Sequence, residues 1–231
     1  MIPKLLVTDL DGTITDKSRR LNLKSVELLR KIEEAGVKVV IATGNHLYFA
    51  EAAAVLIGAT GGIIAEDGGV VRINDEVFWL GDKTEMVNLL SEFEAKTGIK
   101  VPLTPSNPVR RTGIVLWKTL SEDQLMEIRE FFSARGYVVV DSGFAYHIRQ
   151  RNVNKGNALN FLLKKMKISP EEVIAIGDGE NDYEMLKLAG KSYAVGNPPK
   201  RIREASDVVI SGVNGSVKAL EEILRLISSK G

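Results

Sequence analysis

The sequence predicts an α/β protein in which a parallel sheet is interrupted by a segment of different architecture. Short apolar runs alternate with amphipathic helical patterns in the first and last parts of the chain, as in the strand and helix units of a parallel sheet. The alternation stops in the middle, where the patterns suit a small antiparallel sheet backed by two helices. We therefore predict a Rossmann-like core formed by residues 1–80 and 152–231, with an inserted α+β cap domain at residues 81–151.

The first core segment is predicted to contain strand and helix units that end in a hairpin. Apolar runs bounded by polar residues or glycine indicate the strands, and periodic apolar positions indicate the helices. Two turn sequences, Asp67-Gly68-Gly69 and Asn74-Asp75, punctuate the hairpin. The predicted elements are strands near Lys4, Val37 and Gly62, helices over 23–35 and 48–57, and a hairpin ending near Leu80.

The cap and the second core segment follow. The core alternation resumes at Lys155 and continues to a final helix. The inserted segment is expected to lie over the carboxyl edge of the core sheet. The predicted elements are cap helices over 86–96 and 122–134, cap strands over 113–118, 137–140 and 145–149, core strands near Val173, Ser192 and Val208, and a last helix over 217–227.

Two carboxylates follow the first predicted strand. Asp9 and Asp11 come directly after the apolar run at residues 5–7, and Gly12 allows the backbone to turn there. Because ligands of open α/β sheets bind outside the carboxyl ends of strands, this pair indicates an active site. Carboxylates this close repel each other unless a cation or a shared proton lies between them, which favours an oxygen-preferring metal such as Mg²⁺. The alternative is an Asp-Gly turn with a purely structural role.

A second acidic group follows another predicted strand. Residues 173–176 form an apolar run that leads into Asp178 and Asp182, four positions apart. Carboxylates at a strand end and in the first turn of the next helix can share a metal or hold one another's ligands. The alternative is helix capping, with Asp178 or Asn181 as the cap. Capping accounts for one acid, but it does not account for a cluster that matches the one at Asp9.

Two further positions have the chemistry of an anion site. Thr43 and Gly44 follow a third apolar strand, and a hydroxyl and backbone N–H groups at the start of a helix can bind a phosphate oxygen. Lys155 begins an amphipathic helical pattern, although a helix N-terminus disfavours a cation. A bound anion explains a lysine at such a position, and a solvated side chain is the alternative.

Together, these four motifs resemble those of the haloacid dehalogenase superfamily of phosphohydrolases, and they occur in the same order. The resemblance spans nearly the whole chain. The form of the last motif and the position of the cap, between the second and third motifs, resemble the Cof-like subfamily, which holds sugar phosphatases and archaeal phosphoglycolate phosphatases. One departure is Asn45, because relatives commonly carry Arg directly after Thr-Gly. The four motifs are Asp9-Leu10-Asp11-Gly12-Thr13, Thr43-Gly44, Lys155-Gly156 and Gly177-Asp178-Gly179-Glu180-Asn181-Asp182.

The resemblance implies hydrolysis of a phosphate monoester through an aspartyl-phosphate. Asp9 would be the nucleophile, and Asp11 would protonate the leaving group and later activate water. Mg²⁺ would be bound by the Asp9 carboxylate, the Asp11 backbone carbonyl and Asp178, with Asp182 holding a metal-bound water or another ligand. Because members that are ATPases or dehalogenases lack the second aspartate, Asp11 implies a phosphatase or a phosphomutase. The phosphoryl group would be bound by Thr43, Gly44 and Lys155.

The cap carries basic residues that could contact the rest of the substrate. Arg110 and Arg111 lie in a proline-rich loop, while His147 and Arg149 alternate along the last cap strand and so share a face. If that face looks toward the metal, it would bind the carboxylate of phosphoglycolate, for which arginine offers two parallel donors. We predict substrate contacts from Arg111, His147 and Arg149, and a solvated basic surface is the alternative.

Composition excludes several other classes of protein. The 231 residues carry a formal net charge of +1, which offers no electrostatic footprint for nucleic acid or an anionic membrane. The absence of cysteine excludes disulfides, thiolate catalysis and cysteine-ligated metal centres, and two histidines leave little for a histidine metal site. No segment has the length of a membrane span and the N-terminus lacks the pattern of a signal peptide, so a cytoplasmic location is expected.

The sequence thus predicts a Mg²⁺-dependent phosphatase for a small phosphate monoester, with 2-phosphoglycolate as the expected substrate. Two alternatives within the superfamily are a sugar phosphatase and a phosphomutase. An alternative of another class is a module that binds a phosphorylated metabolite without catalysis. The expected partner is a small-molecule phosphoester, with neither nucleic acid nor membrane, and the expected state is a monomer or a homodimer.

Overall fold

A computed structural model describes residues 3–16 and 18–229 of the protein. Strands and helices occur throughout these residues. Within these ranges, no helix combines the length and the apolar content that crossing a membrane requires. The strands are β1 (Leu5–Thr8), β2 (Lys38–Ala42), β3 (Gly62–Ala65), β4 (Val70–Ile73), β5 (Glu76–Trp79), β6 (Gly113–Trp117), β7 (Tyr137–Asp141), β8 (Ala145–Gln150), β9 (Val173–Gly177), β10 (Lys191–Gly196) and β11 (Val208–Ser211). The helices are α1 (Leu23–Glu34), α2 (Leu47–Ile57), α3 (Thr84–Thr97), α4 (Glu122–Ser133), α5 (Lys155–Met166), α6 (Tyr183–Leu188), α7 (Lys200–Ala205) and α8 (Gly215–Ser228).

The larger of two sheets has eight strands in the order β11-β10-β9-β1-β2-β3-β4-β5. The strands from β11 to β3 run parallel, and β4 and β5 add the predicted antiparallel hairpin at one edge. Residues 5–8 of β1 pair with residues 38–41 of β2 on one side and with residues 173–176 of β9 on the other. This arrangement confirms the predicted α/β class, and it brings the residues that follow β1, β2 and β9 to one edge of the sheet.

Helices cover both faces of the larger sheet, which is why its central strands are apolar at successive positions. Leu6 of β1 packs with residues of α1, α2 and α8 on one face. Leu5 and Val7 pack with residues of α5 and α6 on the other face. All three side chains are fully buried. The strand that precedes Asp9 is therefore held rigidly from both sides.

The smaller sheet is antiparallel, with the strand order β6-β8-β7. Its residues pack with those of α3 and α4 in a separate hydrophobic cluster that includes Phe93, Ile128, Phe132 and Ile148. This is the α+β arrangement expected for the inserted segment. The domain limits at residues 81 and 151 stay a prediction.

The predicted elements are present, with ends that differ by a few residues. The capping interpretation of the second acidic motif is wrong. α6 begins at Tyr183, after a 3₁₀ turn at residues 180–182, and neither Asp178 nor Asn181 occupies its cap position. α7 was not expected, because its six residues are too few and too charged to form a clear apolar period.

Candidate active site

Three carboxylates meet at the carboxyl edge of the larger sheet. Asp9 follows β1 and Asp178 follows the neighbouring β9, so the parallel pairing of these strands brings the two side chains together. Asp182 joins them from the 3₁₀ turn. One carboxylate oxygen from each residue lies within 4.8 Å of the other two. The two acidic motifs, separated by most of the chain, therefore form a single cluster.

A buried lysine lies inside this cluster. Lys155 Nζ donates to Asp9 Oδ1 and to Asp182 Oδ1, each at 2.6 Å. Burial acts to lower the pKa of Lys155, but the carboxylates of Asp182 and Asp9 outweigh it and raise the pKa above its usual value. Lys155 is thus a permanent cation in the first turn of α5, where the helix dipole disfavours one. The two carboxylates explain its position.

One ammonium group does not neutralise three carboxylates. Burial, with the neighbouring charge of Asp182, raises the pKa of Asp178 to about 7. Burial also raises the pKa of Asp9 well above its usual value, and the nearby Lys155 offsets only part of this effect. A buried set of oxygen donors with surplus negative charge has the chemistry that a hard divalent cation requires. Asp9, Asp178 and the adjoining backbone could therefore hold such an ion.

Close contacts orient Asp178. Gly12 has a φ of +87°, which favours glycine, and a Cβ at this position would overlap Asp178 Oδ2. Thr13 Oγ1 donates to Asp178 Oδ1 at 2.7 Å. The backbone N–H groups of Asp178 and Gly179 each donate to Asp182 Oδ2 at 3.0 Å. Asp182 therefore holds the loop that carries Asp178, in addition to binding the buried ammonium group.

Asp11 belongs to a second polar group beside the acid cluster. Its carboxylate accepts hydrogen bonds from Arg19 Nε at 2.7 Å and from Arg19 Nη2 at 3.2 Å. Asn45 Nδ2 donates to the same carboxylate at 2.6 Å and to Thr43 Oγ1 at 2.9 Å. Because a carboxylate only accepts and a guanidinium only donates, the amide of Asn45 can bridge them in one orientation, with Oδ1 toward Arg19 at 3.0 Å. Asn45 thus fixes the direction of Asp11.

Asp67 connects the larger sheet to the smaller one. It follows β3, so it lies at the same sheet edge as Asp9, and its Oδ1 accepts from Asn181 Nδ2 at 3.0 Å. Its Oδ2 is paired with Nδ1 of His147 on β8. Burial acts to raise the pKa of Asp67, but the groups around it, above all His147, outweigh burial and hold the pKa well below its usual range. An ionised Asp67 therefore links the core to the cap.

We expect Asp67→Asn to weaken this link. The change removes a buried charge from the pair with His147, which should lower the free energy of unfolding by about 3 kcal/mol at neutral pH. Because the pKa of Asp67 is lower in the folded state than its unfolded value of about 4, the stabilisation is complete above that pH and is lost as the pH falls below it. Denaturant unfolding of both proteins at neutral pH and near pH ~3 measures the difference. A difference that persists undiminished in acid would contradict an ionised Asp67 in the folded protein.

A cleft of about 340 Å³ opens over these side chains. Asp9 and Asp11 line it from the core, and Arg110 and His147 line it from the cap. Arg110 Nη2 donates across the cleft to the backbone carbonyl of Gly44 at 2.8 Å. Clefts near the lower end of the usual range for small-molecule sites suit compact ligands. The site can therefore bind a small anionic molecule next to the acid cluster.

Four of the predicted substrate-binding residues lie at or directly beneath the cleft. Gly44 and His147 line it. Lys155 is buried below it with the acid cluster, and the hydroxyl of Thr43 accepts a hydrogen bond from the backbone N–H of Asn45 at 3.1 Å. Their contacts with a phosphoryl group stay a prediction.

The structure does not bring Arg111 and Arg149 to the cleft. The guanidinium of Arg111 lies over the ring of Trp79 at 5.1 Å, outside the cleft. Arg149 shares the face of His147, as the strand alternation predicts, but its guanidinium donates to the backbone carbonyl of Val153. Both side chains are drawn to partners where the cap meets the core, which strand periodicity does not describe. The cap arginine that lines the cleft is the neighbour of Arg111 at position 110.

Sequence reasoning missed several polar residues of the site. Asp67 lies two positions after the parallel strand β3 and could have been found by the strand-end rule, but its Asp-Gly-Gly sequence favours a turn. Asn181 lay inside a recognised motif and was considered only as a helix cap. Arg19 had no signal, because the loop that carries it reaches the cleft only through folding. Arg19 and Asp67 were missed as site residues. Asn45, Arg110 and Asn181 were named, but none of them was assigned a contact in the site.

Comparisons with known sequences identify relatives over nearly the whole chain. A family model described as haloacid dehalogenase-like hydrolase matches residues 6–97 and 105–217. A protein of Methanothermobacter thermautotrophicus named phosphoglycolate phosphatase is 45% identical over 215 residues, covering 92% of this chain and 94% of the relative. A protein of Archaeoglobus fulgidus with the same name is 38% identical, covering 95% of this chain and 96% of the relative.

Solved structures share the fold. A Thermoplasma acidophilum protein aligns over 99% of both chains with a TM-score of 0.88 and 24% sequence identity. A haloacid dehalogenase-like hydrolase from Bacteroides thetaiotaomicron covers 96% of this chain and 99% of its own, with a TM-score of 0.81 and 23% identity. These alignments include the inserted segment as well as the larger sheet, so the arrangement of the two is shared.

Proposed function

Because the chain belongs to the haloacid dehalogenase-like hydrolase family, we propose that it is a Mg²⁺-dependent phosphatase that hydrolyses 2-phosphoglycolate through a phosphorylated Asp9. The strongest support from the structure is the buried acid cluster around Lys155 beneath a small cleft. The choice of 2-phosphoglycolate as the substrate is supported by the archaeal relatives named phosphoglycolate phosphatase, whose alignments cover more than nine-tenths of this chain.

Asp9 is the proposed nucleophile. Its Oδ1 accepts from Lys155, and within residues 3–16 and 18–229 its Oδ2 has no hydrogen-bond partner. In the first step the bond from an Asp9 oxygen to phosphorus forms, and the bond from phosphorus to the leaving oxygen breaks. In the second step water attacks the same phosphorus and releases inorganic phosphate and the free carboxylate. A carboxylate nucleophile thereby divides one difficult displacement into two easier ones.

Asp11 supplies and recovers the proton. In its protonated form it donates to the leaving oxygen as the first bond breaks, and the resulting carboxylate takes a proton from the attacking water. Asp11 lines the cleft and lies two positions after Asp9 in the sequence. Asn45 Nδ2 orients its carboxylate by donating to Oδ2 at 2.6 Å. The position of Asp11 in the cleft lining supports this role, whereas the buried Asp182 does not line the cleft.

The remaining groups would manage negative charge. The ion would be held by the carboxylates of Asp9 and Asp178 and the backbone carbonyl of Asp11, and when bound it supplies positive charge that screens the phosphoryl group from the carboxylates. Asp182 keeps the loop of Asp178 in place through two backbone hydrogen bonds. The phosphoryl oxygens would be bound by Thr43, Gly44 and Lys155.

We extend the same proposal to the setting of the enzyme. Its substrate is a small phosphoester, and a net charge of +1 offers no broad cationic surface for nucleic acid or anionic lipid. A cytoplasmic location and a monomeric or homodimeric state complete the proposal.

Phosphate release from a panel of phosphomonoesters tests the proposed function. We expect 2-phosphoglycolate to have the highest kcat/KM. We also expect activity to vanish with a chelator and to return with excess Mg²⁺, because without the ion the acid cluster repels the dianionic phosphoryl group. The panel should include hexose phosphates, glycerol phosphate and an aryl phosphate. Formation of an isomeric phosphate without inorganic phosphate would indicate a phosphomutase. Binding of substrate without any turnover would indicate a non-catalytic module.

A further inference from the structure

A cationic side chain stands beside the general acid without a role in the phosphoryl chemistry. Arg19 lies in the loop between β1 and α1, and it lines the cleft. Its Nε and Nη2 contact Asp11, and its Nη2 also contacts Asn45. Within the described ranges, Nη1 donates no hydrogen bond, and the side chain is 43% exposed. Part of the guanidinium is therefore available to a ligand in the cleft.

Two aromatic rings flank this guanidinium. It lies 5.6 Å from the ring centre of Phe49 on α2 and 5.7 Å from the ring centre of Phe144 in the turn between β7 and β8. Both rings are partly exposed, and both lie within the distance at which a cation is attracted to an aromatic face. One ring belongs to the core and the other to the cap. The guanidinium is thus positioned where the two sides of the cleft meet, and its donors can change partner without moving it away.

The backbone of the loop directs Arg19 inward. Its φ is +61°, a left-handed conformation that is unfavourable for a residue with a Cβ. Asp16 stabilises the turn, because its carbonyl accepts from the Arg19 N–H and its Oδ1 accepts from the N–H groups of Ser18 and Arg20. The next side chain, that of Arg20, is exposed. Strain of this kind is retained where a particular side chain has to be presented.

The position of Arg19 relative to Asp11 defines what it can bind. Asp11 protonates the bridging oxygen of the ester, so this oxygen has to lie next to the Asp11 carboxylate. In phosphoglycolate the carboxylate is separated from that oxygen by a single methylene group. A guanidinium in contact with Asp11 is therefore within reach of the substrate carboxylate. The other arginine that lines the cleft, Arg110, is buried, and it donates to Ser106 Oγ and to the backbone carbonyl of Gly44. The side chain of Arg19 is much more exposed than that of Arg110.

We infer that Arg19 binds the carboxylate of the leaving group, and that this core loop, together with the cap, selects small phosphoesters with an anionic leaving group. The assignment rests on the proposed phosphatase function. When the substrate enters, its carboxylate accepts from Nη1 and competes with Asp11 for Nη2. Asn45 Nδ2 continues to hold Asp11, so the general acid keeps its direction while the arginine changes partner.

Binding of two phosphonates separates this role from a structural one. The first, 3-phosphonopropionate, has the shape of phosphoglycolate with a methylene in place of the bridging oxygen, and propylphosphonate replaces its carboxylate by a methyl group. Titration calorimetry in the presence of Mg²⁺ measures the affinity for each phosphonate. Arg19→Gln should lower the affinity for 3-phosphonopropionate roughly 10- to 100-fold and the affinity for propylphosphonate by less than about threefold. Arg19→Lys should recover part of the loss, because it keeps the charge but not the paired donors. The matched control, Arg20→Gln, should leave the affinity for both phosphonates unchanged.

Steady-state kinetics give the second readout. We expect Arg19→Gln to raise the KM for phosphoglycolate by a similar factor, and to lower kcat/KM for phosphoglycolate roughly tenfold more than kcat/KM for ethyl phosphate. The inference would be overturned if Arg19→Gln lowered the affinity for both phosphonates equally, or lowered kcat/KM equally for both esters. Arg19 would then be a positioning residue for Asp11. A wild-type protein that releases no phosphate from any ester would overturn the proposed function as well. The two failures are therefore distinguishable.

Discussion

Asp9→Asn is expected to abolish phosphate release, lowering kcat by about four orders of magnitude or more. The amide is neutral and a poor nucleophile, so the covalent step is lost, and no other carboxylate of the cluster replaces it. Asp178 is oriented by Thr13 and Asp182 has both oxygens occupied. Losses of this size are typical when a nucleophile is removed from groups that act as a unit.

Folding has to be measured alongside activity for this variant. Burial raises the pKa of Asp9, so its ionised form is unfavourable in the folded protein, and a neutral amide should leave thermal stability without Mg²⁺ unchanged or higher. Asp75→Asn is the matched control, because that side chain is fully exposed in the turn between β4 and β5, and it should retain full activity. Substantial phosphate release by pure, folded Asp9→Asn protein would exclude Asp9 as the nucleophile.

Lys155→Met is expected to produce the largest loss of stability, about 3–5 kcal/mol in the free energy of unfolding. The side chain is completely buried between Asp9 and Asp182, and its removal leaves their charges without a partner. Methionine fills much of the same volume, so the effect reports charge rather than a cavity. We also expect no measurable turnover, because a phosphoryl group would enter a site with more negative charge. Denaturant unfolding and phosphate release measure the two effects.

A double variant distinguishes charge from packing at this position. Adding Asp182→Asn to Lys155→Met removes one of the stranded carboxylates, so the double variant should be more stable than the sum of the two single losses. Lys164→Met is the control, since it lies on the exposed side of the same helix and should change stability little. Additive losses in the double variant would show that Lys155 stabilises the protein mainly by filling space.

Much of the fold and the central acids could be predicted because strand ends obey a simple rule. Apolar runs marked β1 and β9, and parallel pairing brings the residues after them to one edge. Each acid could be assigned to a strand end from the sequence alone, whereas the meeting of Asp9 and Asp178 was implied by the resemblance of the motifs to those of the family. The unfavourable position of Lys155 at a helix start was explained by a bound anion, whereas in the structure two of the protein's own carboxylates are its partners.

The residues around the acids were harder to predict, because their positions depend on how loops and the cap close over the sheet. The alternation of β8 correctly placed His147 and Arg149 on one face. Periodicity could not show that His147 would pair with Asp67, or that Arg149 would donate to the backbone carbonyl of Val153. Arg19 lies in a loop with no periodic pattern, and its approach to Asp11 depends on a left-handed backbone conformation.

Rapid acid quenching followed by mass spectrometry of the protein tests the covalent mechanism most directly. Wild-type protein mixed with Mg²⁺ and phosphoglycolate should carry one phosphoryl group during turnover, located on the peptide that contains Asp9, and the label should disappear when substrate is exhausted. The same experiment with Asp9→Asn should give no labelled peptide. Turnover with no labelled peptide at any quench time, or a label on a residue other than Asp9, would contradict hydrolysis through a phosphorylated Asp9.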